Sequence, residues 1–412
     1  MTIHTMKKVS LVVMLFLLQK SFNVTRRLAV LGVLLFGLAV SQTALAQQIV
    51  QGSTADGSLY EFVVPTIWNH NLVVYAHGIV DPQAPIQLPA DNSDFVPLRD
   101  ALVARGYAVA SSSWSENGYA VKEGVQRIHQ LNGLFSAQFG PPSSTLLIGK
   151  SLGGLVALKL AEQYPSEYNG ALVMCGPVGG GTPEVKYLAD ARILFDYFFP
   201  GVLPGDAFHT PTLDFSPGSP AFNAVAGALQ AGFFTQGAPT FQLFSTAHLP
   251  ASSPTEIVIS GLTTIGFNVR FVNDVLSRTH GHIPYDNTAV VYSGSFDDAA
   301  LNAVGGVERF SSDPDAVNYI SKYYDPTGKL QIPVLTLHTL LDPVVPILVH
   351  EPKYLSLVNG TGSGNELVQQ SVARYGHCAF QVQEELNAFD GLAAWSQGGN
   401  KPAGGDVTLP LP

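Results

Sequence analysis

The 412-residue chain has a net charge of −10, with 46% hydrophobic and only 13% charged residues. This apolar, charge-poor composition excludes a disordered or coiled-coil protein and favours a large buried core. The negative charge repels phosphate backbones, so nucleic acid is not an expected partner.

The chain opens on a leader pattern. Arg26-Arg27 precede an apolar run from Leu28 to Val40, which ends at Ala44-Leu45-Ala46. A basic n-region, an apolar h-region and a small-x-small site predict a signal peptide over 1–46, cleaved after Ala46. The run is short for a membrane span, so no stable membrane anchor is expected and a secreted or periplasmic location is. An uncleaved N-terminal anchor is the alternative. The leader holds five basic residues and no acidic one, so the mature chain would carry −15.

Residues 59–64 alternate and stop at Pro65, which reads as an edge strand. Residues 72–76 form a continuous apolar run, as in a strand buried on both faces. A helix is expected over 96–105, a strand over 107–110, and a long amphipathic helix over 121–139, ended by Gly140-Pro141-Pro142. Residues 144–148 predict a strand that runs into Gly149-Lys150-Ser151-Leu152-Gly153. A helix over 154–164 and a strand over 171–174 follow. This alternation predicts an α/β fold, a mostly parallel sheet covered by helices on both faces.

The alternation stops between 182 and 324, a stretch rich in Phe, Pro, Gly and Ala. Helices are plausible there at 185–198, 221–231 and 253–276, and the segment reads as a largely helical cap. Alternation resumes with strands at 332–338 and 367–374 and a closing helix at 382–395. The expected organisation is a core of 47–181 and 325–396, a cap of 182–324, and a surface tail of 397–412.

Ser151 sits between a strand and a helix, in a turn whose glycines let backbone segments approach closely. A serine hydroxyl needs a base, and the base an orienting acid. Asp342 follows the strand at 332–338 in a loop stiffened by Pro343 and Pro346. His377 follows the strand at 367–374, after Gly376. His350 is the alternative base, and Asp297 and Asp298 are alternative acids. His338 lies within a strand and reads as a buried structural residue. His280 and His282 lack further partners for a metal site, and no Cys/His cluster has zinc spacing, so no metal is expected. Cys175 and Cys378 read either as a bridge or as two buried thiols.

Together His77-Gly78, Gly149 to Gly153, Asp342 with its prolines and Gly376-His377 resemble the α/β-hydrolase superfamily over about residues 60 to 395. Ser115 to Val121, Tyr285 to Thr288 and Tyr323 to Gly328 resemble an exported bacterial branch grouped with carboxylesterase-like and prolyl-oligopeptidase-like enzymes. The resemblance implies the α/β-hydrolase fold, a Ser151–Asp342–His377 triad and no cofactor. It also implies an oxyanion hole from the backbone N–H groups of Leu152 and Ile79, with Gly78 second.

The expected activity is cleavage of carboxylic esters, with a peptidase or amidase as the alternative and a non-catalytic binding protein as a third reading. The expected partner is a small-molecule or peptide-like ester or amide. Trp114, Tyr119 and Phe198 are candidate substrate-binding residues. The cap aromatics, Phe195, Tyr197, Phe198, Phe199 and Phe208 among them, either line a pocket or form the cap's own core.

Overall fold

The computed structural model describes residues 47–411 apart from Ala90, Asp91 and Ser93. The leader and the cleavage position after Ala46 lie outside the described residues. Among the described residues five strands precede the helix that follows Ser151: β1 (Gln48–Ser53), β2 (Leu59–Val64), β3 (Asn71–Ala76), β4 (Ala108–Ser112) and β5 (Ser144–Lys150). Four follow it: β6 (Gly170–Met174), β7 (Val334–Leu341), β8 (Leu367–Tyr375) and β9 (Gly405–Asp406). They form one sheet in the order β1-β2-β4-β3-β5-β6-β7-β8-β9. Both pairings of β2 are antiparallel, and β3 to β9 pair in parallel. With β2 alone reversed, this is the α/β-hydrolase fold.

The central strands are apolar throughout because each face is covered. On β3, Leu72, Val74 and Ala76 pack with α2 (Val121–Phe139) and α3 (Leu152–Gln163). Val73 and Tyr75 turn to the other face, toward α1 (Val96–Ala104) and α11 (Val382–Ser396). Val63 of β2 also belongs to this second face, clustered with Leu98 and Leu102.

The sheet extends further at both margins than the sequence suggests. The strand at 59–64 is not an edge, because β1 pairs along its outer side. β1 reads Gln-Ile-Val-Gln-Gly-Ser and is largely exposed, so it lacks the apolar alternation that would have marked it. The tail, exposed along most of its described length, also adds to the sheet: Gly405 and Asp406 pair with Gln370 and Ser371 of β8.

The segment between β6 and β7 is helical, as expected, but holds more helices than the sequence suggested. These are α4 (Gly181–Phe198), α5 (Pro220–Ala231), α6 (Pro239–Thr246), α7 (Pro254–Arg278), α8 (Asp298–Asn302) and α9 (Pro314–Tyr324). The Asp325 carboxylate, just past α9, accepts hydrogen bonds from the Thr182 N–H (2.9 Å) and hydroxyl (2.7 Å), which joins the exit of the insertion to its entrance. The long helix α7 is tied to the core from both ends. Arg278 pairs with Glu116 and Glu123, each at 3.2 Å, and Asp274 accepts the Tyr119 N–H at 2.6 Å. Nearer its start, Thr264 donates to the Pro343 carbonyl at 2.8 Å. The last core helices are α10 (Ile347–Gly360) and α11.

Candidate active site

Ser151 joins β5 to α3 at φ 54°, ψ −127°, a left-handed conformation that a serine adopts only where its surroundings enforce it. Enforcement comes from crowding. A Cβ on Gly149 would lie 2.0 Å from the Gly153 carbonyl oxygen, and one on Gly153 would lie 2.1 Å from the Ala76 carbonyl oxygen. Only glycine fits either position. The turn is fastened below by the Ser151 N–H, which donates to the Met174 carbonyl at 2.9 Å. Beside it, Lys150 is buried against Glu385 of α11 at 2.5 Å.

The three residues expected to act together do meet. The Ser151 hydroxyl lies 2.8 Å from His377 Nε2, and His377 Nδ1 lies 2.7 Å from Asp342 Oδ2. The second Asp342 oxygen accepts the N–H groups of Val344 (2.9 Å) and Val345 (3.0 Å), so the whole carboxylate is oriented. Asp342 is fully buried. Burial opposes its charge, but the His377 and His338 imidazoles beside it hold the carboxyl well below its ordinary range. The His377 loop is fixed to the acid loop by the Gly376 N–H on the Leu341 carbonyl and the Thr339 hydroxyl on the Gly376 carbonyl. Cys378, next to His377, is disulfide-bonded to Cys175, the residue after β6.

The alternatives are placed elsewhere. His350 is buried on α10, with Nε2 2.8 Å from Glu184 and Nδ1 accepting the Gly179 N–H at 3.2 Å. Burial holds it neutral, at a pKa of about 3. Asp297 caps α8 through the Ala300 N–H, and Asp298 accepts from Ser295. His338 is a buried structural residue, as expected. Its Nε2 donates to the Val345 carbonyl at 2.7 Å and lies 3.6 Å from Asp342, and its Nδ1 is 3.2 Å from Glu351. Burial works against a charged ring, yet the two carboxylates raise its pKa to about 10.

The expected oxyanion elements lie beside the serine. Leu152 opens α3, so its N–H has no intrahelical acceptor. The position of a Cβ on Gly78 would be 3.2 Å from Ser151 Cβ, which brings the 77–79 turn against the serine. Ile79 and Leu152 both line the adjoining pocket. His77 braces this turn: its Nδ1 is 2.6 Å from the Gly78 carbonyl and its ring stacks on Trp114, with centroids 4.1 Å apart.

That stacking corrects one expectation. Trp114 is buried beneath the turn and does not line the pocket. Phe198 is also outside it, packed edge-on against Tyr197 on the far end of α4. Tyr119 does line the pocket, which encloses about 630 Å³ including its open mouth. Phe208, Phe267, Phe271, Val272 and Val275 form much of the wall. Of these, sequence reading noted only Phe208. The i, i+4, i+8 spacing of Phe267, Phe271 and Val275 was the available signal for a stripe on one face of α7. Glu184 also lines the pocket; in the sequence it reads only as an acid in the first turn of a helix.

The sequence matches no protein-family model and no curated protein. In structure the chain is similar to an esterase of Pyrococcus furiosus, at a TM-score of 0.43 and 12% identity over 84% of this chain and 88% of that one. It is similar to an esterase of Aspergillus oryzae at 0.46 and 15%, over 86% and 80%. It is similar to an acylaminoacyl peptidase of Pyrococcus horikoshii at 0.40 and 10%, over 83% of this chain and 39% of that one. The fold assignment itself rests on the strand order.

Proposed function

We propose that this chain, an α/β-hydrolase fold with a helical insertion over its sheet, is an exported serine hydrolase that cleaves carboxylic esters. One observation carries the reading: the unbroken chain of contacts from Ser151 through His377 to Asp342, with Ser151 held at positive φ. In the proposed mechanism Ser151 attacks the ester carbonyl while His377 Nε2 takes its proton. The imidazolium that forms is stabilised by the buried Asp342 carboxylate. The N–H groups of Leu152 and Ile79 bind the oxyanion. His377 then gives its proton to the departing alcohol, and water, deprotonated by the same ring, releases the acid from Ser151.

The apolar pocket wall beside Ser151 supports an ester with an apolar acyl or alcohol part over a peptide, whose backbone amides would need many polar partners. The leader pattern supports export, and so does the disulfide, since such bonds persist in oxidising compartments.

The test is a fluorophosphonate probe together with a panel of p-nitrophenyl esters. The parent enzyme is expected to be labelled and to turn over esters. Ser151→Ala is expected to lose labelling and at least about 10³-fold in kcat, the usual scale for a nucleophile. A well-folded parent that takes no label would sink the proposal and leave a binding protein on this scaffold.

A further inference from the structure

The pocket beside Ser151 is not uniformly apolar. Three polar groups stand among its phenylalanines and valines, and none of them is used in the chemistry at Ser151. Tyr119 is 7% exposed, and its hydroxyl has no hydrogen-bond partner among the described residues. Asn268 is 4% exposed; its Nδ2 donates to the Ala207 carbonyl at 3.2 Å, which fixes the amide and leaves Oδ1 without a partner among the described residues. Glu184 is the third, held through Oε2 by His350.

The hydrogen-bonding sense of each group can be worked out. His350 Nδ1 accepts the Gly179 N–H, so its proton lies on Nε2 and is donated to Glu184 Oε2. Burial, aided by the nearby Asp342 charge, raises Glu184 to about 8, so at neutral pH it is a carboxylic acid. Since Oε2 already accepts from His350, the acid proton belongs on Oε1. The pocket thus offers one fixed acceptor, Asn268 Oδ1, one fixed donor, Glu184 Oε1–H, and one hydroxyl that can do either, Tyr119. Buried polar groups of this kind cost stability unless something pairs with them. A ligand group that is both donor and acceptor suits each of them; a hydrocarbon suits none.

We propose that the part of the ester seated in this pocket is an uncharged, mainly apolar group bearing a hydroxyl, and that Tyr119 and Asn268 select it. This rests on the esterase reading for the bond that is cleaved, but not for what is bound. A site built around hydrogen bonds rejects the analogue that lacks them, because its own polar groups are then left buried without partners. In a purely apolar pocket the order is reversed, since the hydroxyl would be stripped of water for nothing. The sign of the preference therefore decides the matter.

The test uses Ser151→Ala, so that binding is read without turnover. Its affinity is measured by calorimetry for two matched pairs: methyl 3-phenylpropanoate against its para-hydroxy derivative, and methyl hexanoate against methyl 6-hydroxyhexanoate. At least one hydroxylated member is expected to bind ten times or more tightly than its plain partner. Adding Tyr119→Phe or Asn268→Leu is expected to cut that ratio at least threefold, chiefly by weakening the hydroxylated ligand. Tyr119→Phe removes no bond within the protein, so it remains informative should Asn268→Leu fold poorly. Plain esters bound as well as or better than hydroxylated ones in both pairs, or a ratio unchanged by Tyr119→Phe, would overturn the inference. Fluorophosphonate labelling of the parent reports separately on the esterase reading.

Discussion

Cys378, the neighbour of His377, is covalently joined to Cys175, the first residue beyond β6, with Cα atoms 5.3 Å apart. His377 is thus clamped to the strand beside the one that leads into Ser151. The bridge closes a separation of 203 residues, which by loop-closure arguments stabilises the fold by about 2–5 kcal/mol. Cys175→Ser with Cys378→Ser is expected to lower the thermal midpoint by several degrees and to lower kcat more than it changes KM, because the His377 loop loses its anchor. Thermal melts and steady-state kinetics check this; an unchanged midpoint and kcat would remove any role for the clamp.

His377, part-buried, and His350, fully buried, each lie beside a carboxylate, but only His377 reaches Ser151. His377→Ala is expected to lose at least about 10³-fold in kcat with the fold intact. His350→Asn is expected to keep turnover within about tenfold while losing stability, because Glu184 loses its donor. The reverse pattern in well-folded variants would require a different base.

Glycines around the Ser151 turn separate stability from chemistry. Gly149→Ala and Gly153→Ala place a Cβ about 2 Å from backbone oxygens and are expected to prevent folding or to cost several kcal/mol. At Gly78 the contact is with Ser151 Cβ at 3.2 Å, a crowding that small shifts can relieve. Gly78→Ala is expected to fold and to lose kcat, by displacing the oxyanion turn. Soluble expression, circular dichroism and kinetics tell the three apart.

Four buried groups shape stability against pH. Glu184 is raised from 4.5 to about 8, so its contribution is complete below pH 4.5 and is lost as pH climbs to 8. His338 is raised from 6.5 to about 10, so its contribution is complete below pH 6.5 and is lost through pH 10. On the acid side, His350 is lowered from 6.5 to about 3 and Asp342 is lowered as well, so their contributions fade as pH falls below 6.5 and below 3.8 respectively. Denaturant melts across pH should show a broad maximum between about pH 4.5 and 6.5, where the loss at Glu184 is offset by the gain at His350. Glu184→Gln, which cannot ionise, is expected to roughly halve the decline between pH 6.5 and 8, leaving the part due to His338, and to leave the decline above pH 8. A parent-like slope below pH 8 in that variant would contradict the placement of Glu184 as a buried acid.

The local sequence alone marked the turn at Ser151, the alternation of strands and helices, and the order of Ser151, Asp342 and His377 along the chain. Gly149, Gly153 and Gly376 mark backbone that no other residue tolerates, and unbroken apolar runs such as 72–76 mark strands buried on both faces. These signals are carried by a few adjacent residues, which is why they are legible. The tertiary structure decided what depends on residues far apart in the chain. β1 and β9 are strands only because β2 and β8 offer an edge to pair with; their own residues carry no apolar pattern. Trp114 and Tyr119 are five residues apart, yet one lies under the oxyanion turn and the other in the pocket, set by packing on His77 and Tyr324. The meaning of Glu184 required His350, 166 residues away, and a buried setting to turn a helix-end carboxylate into a neutral acid facing the pocket.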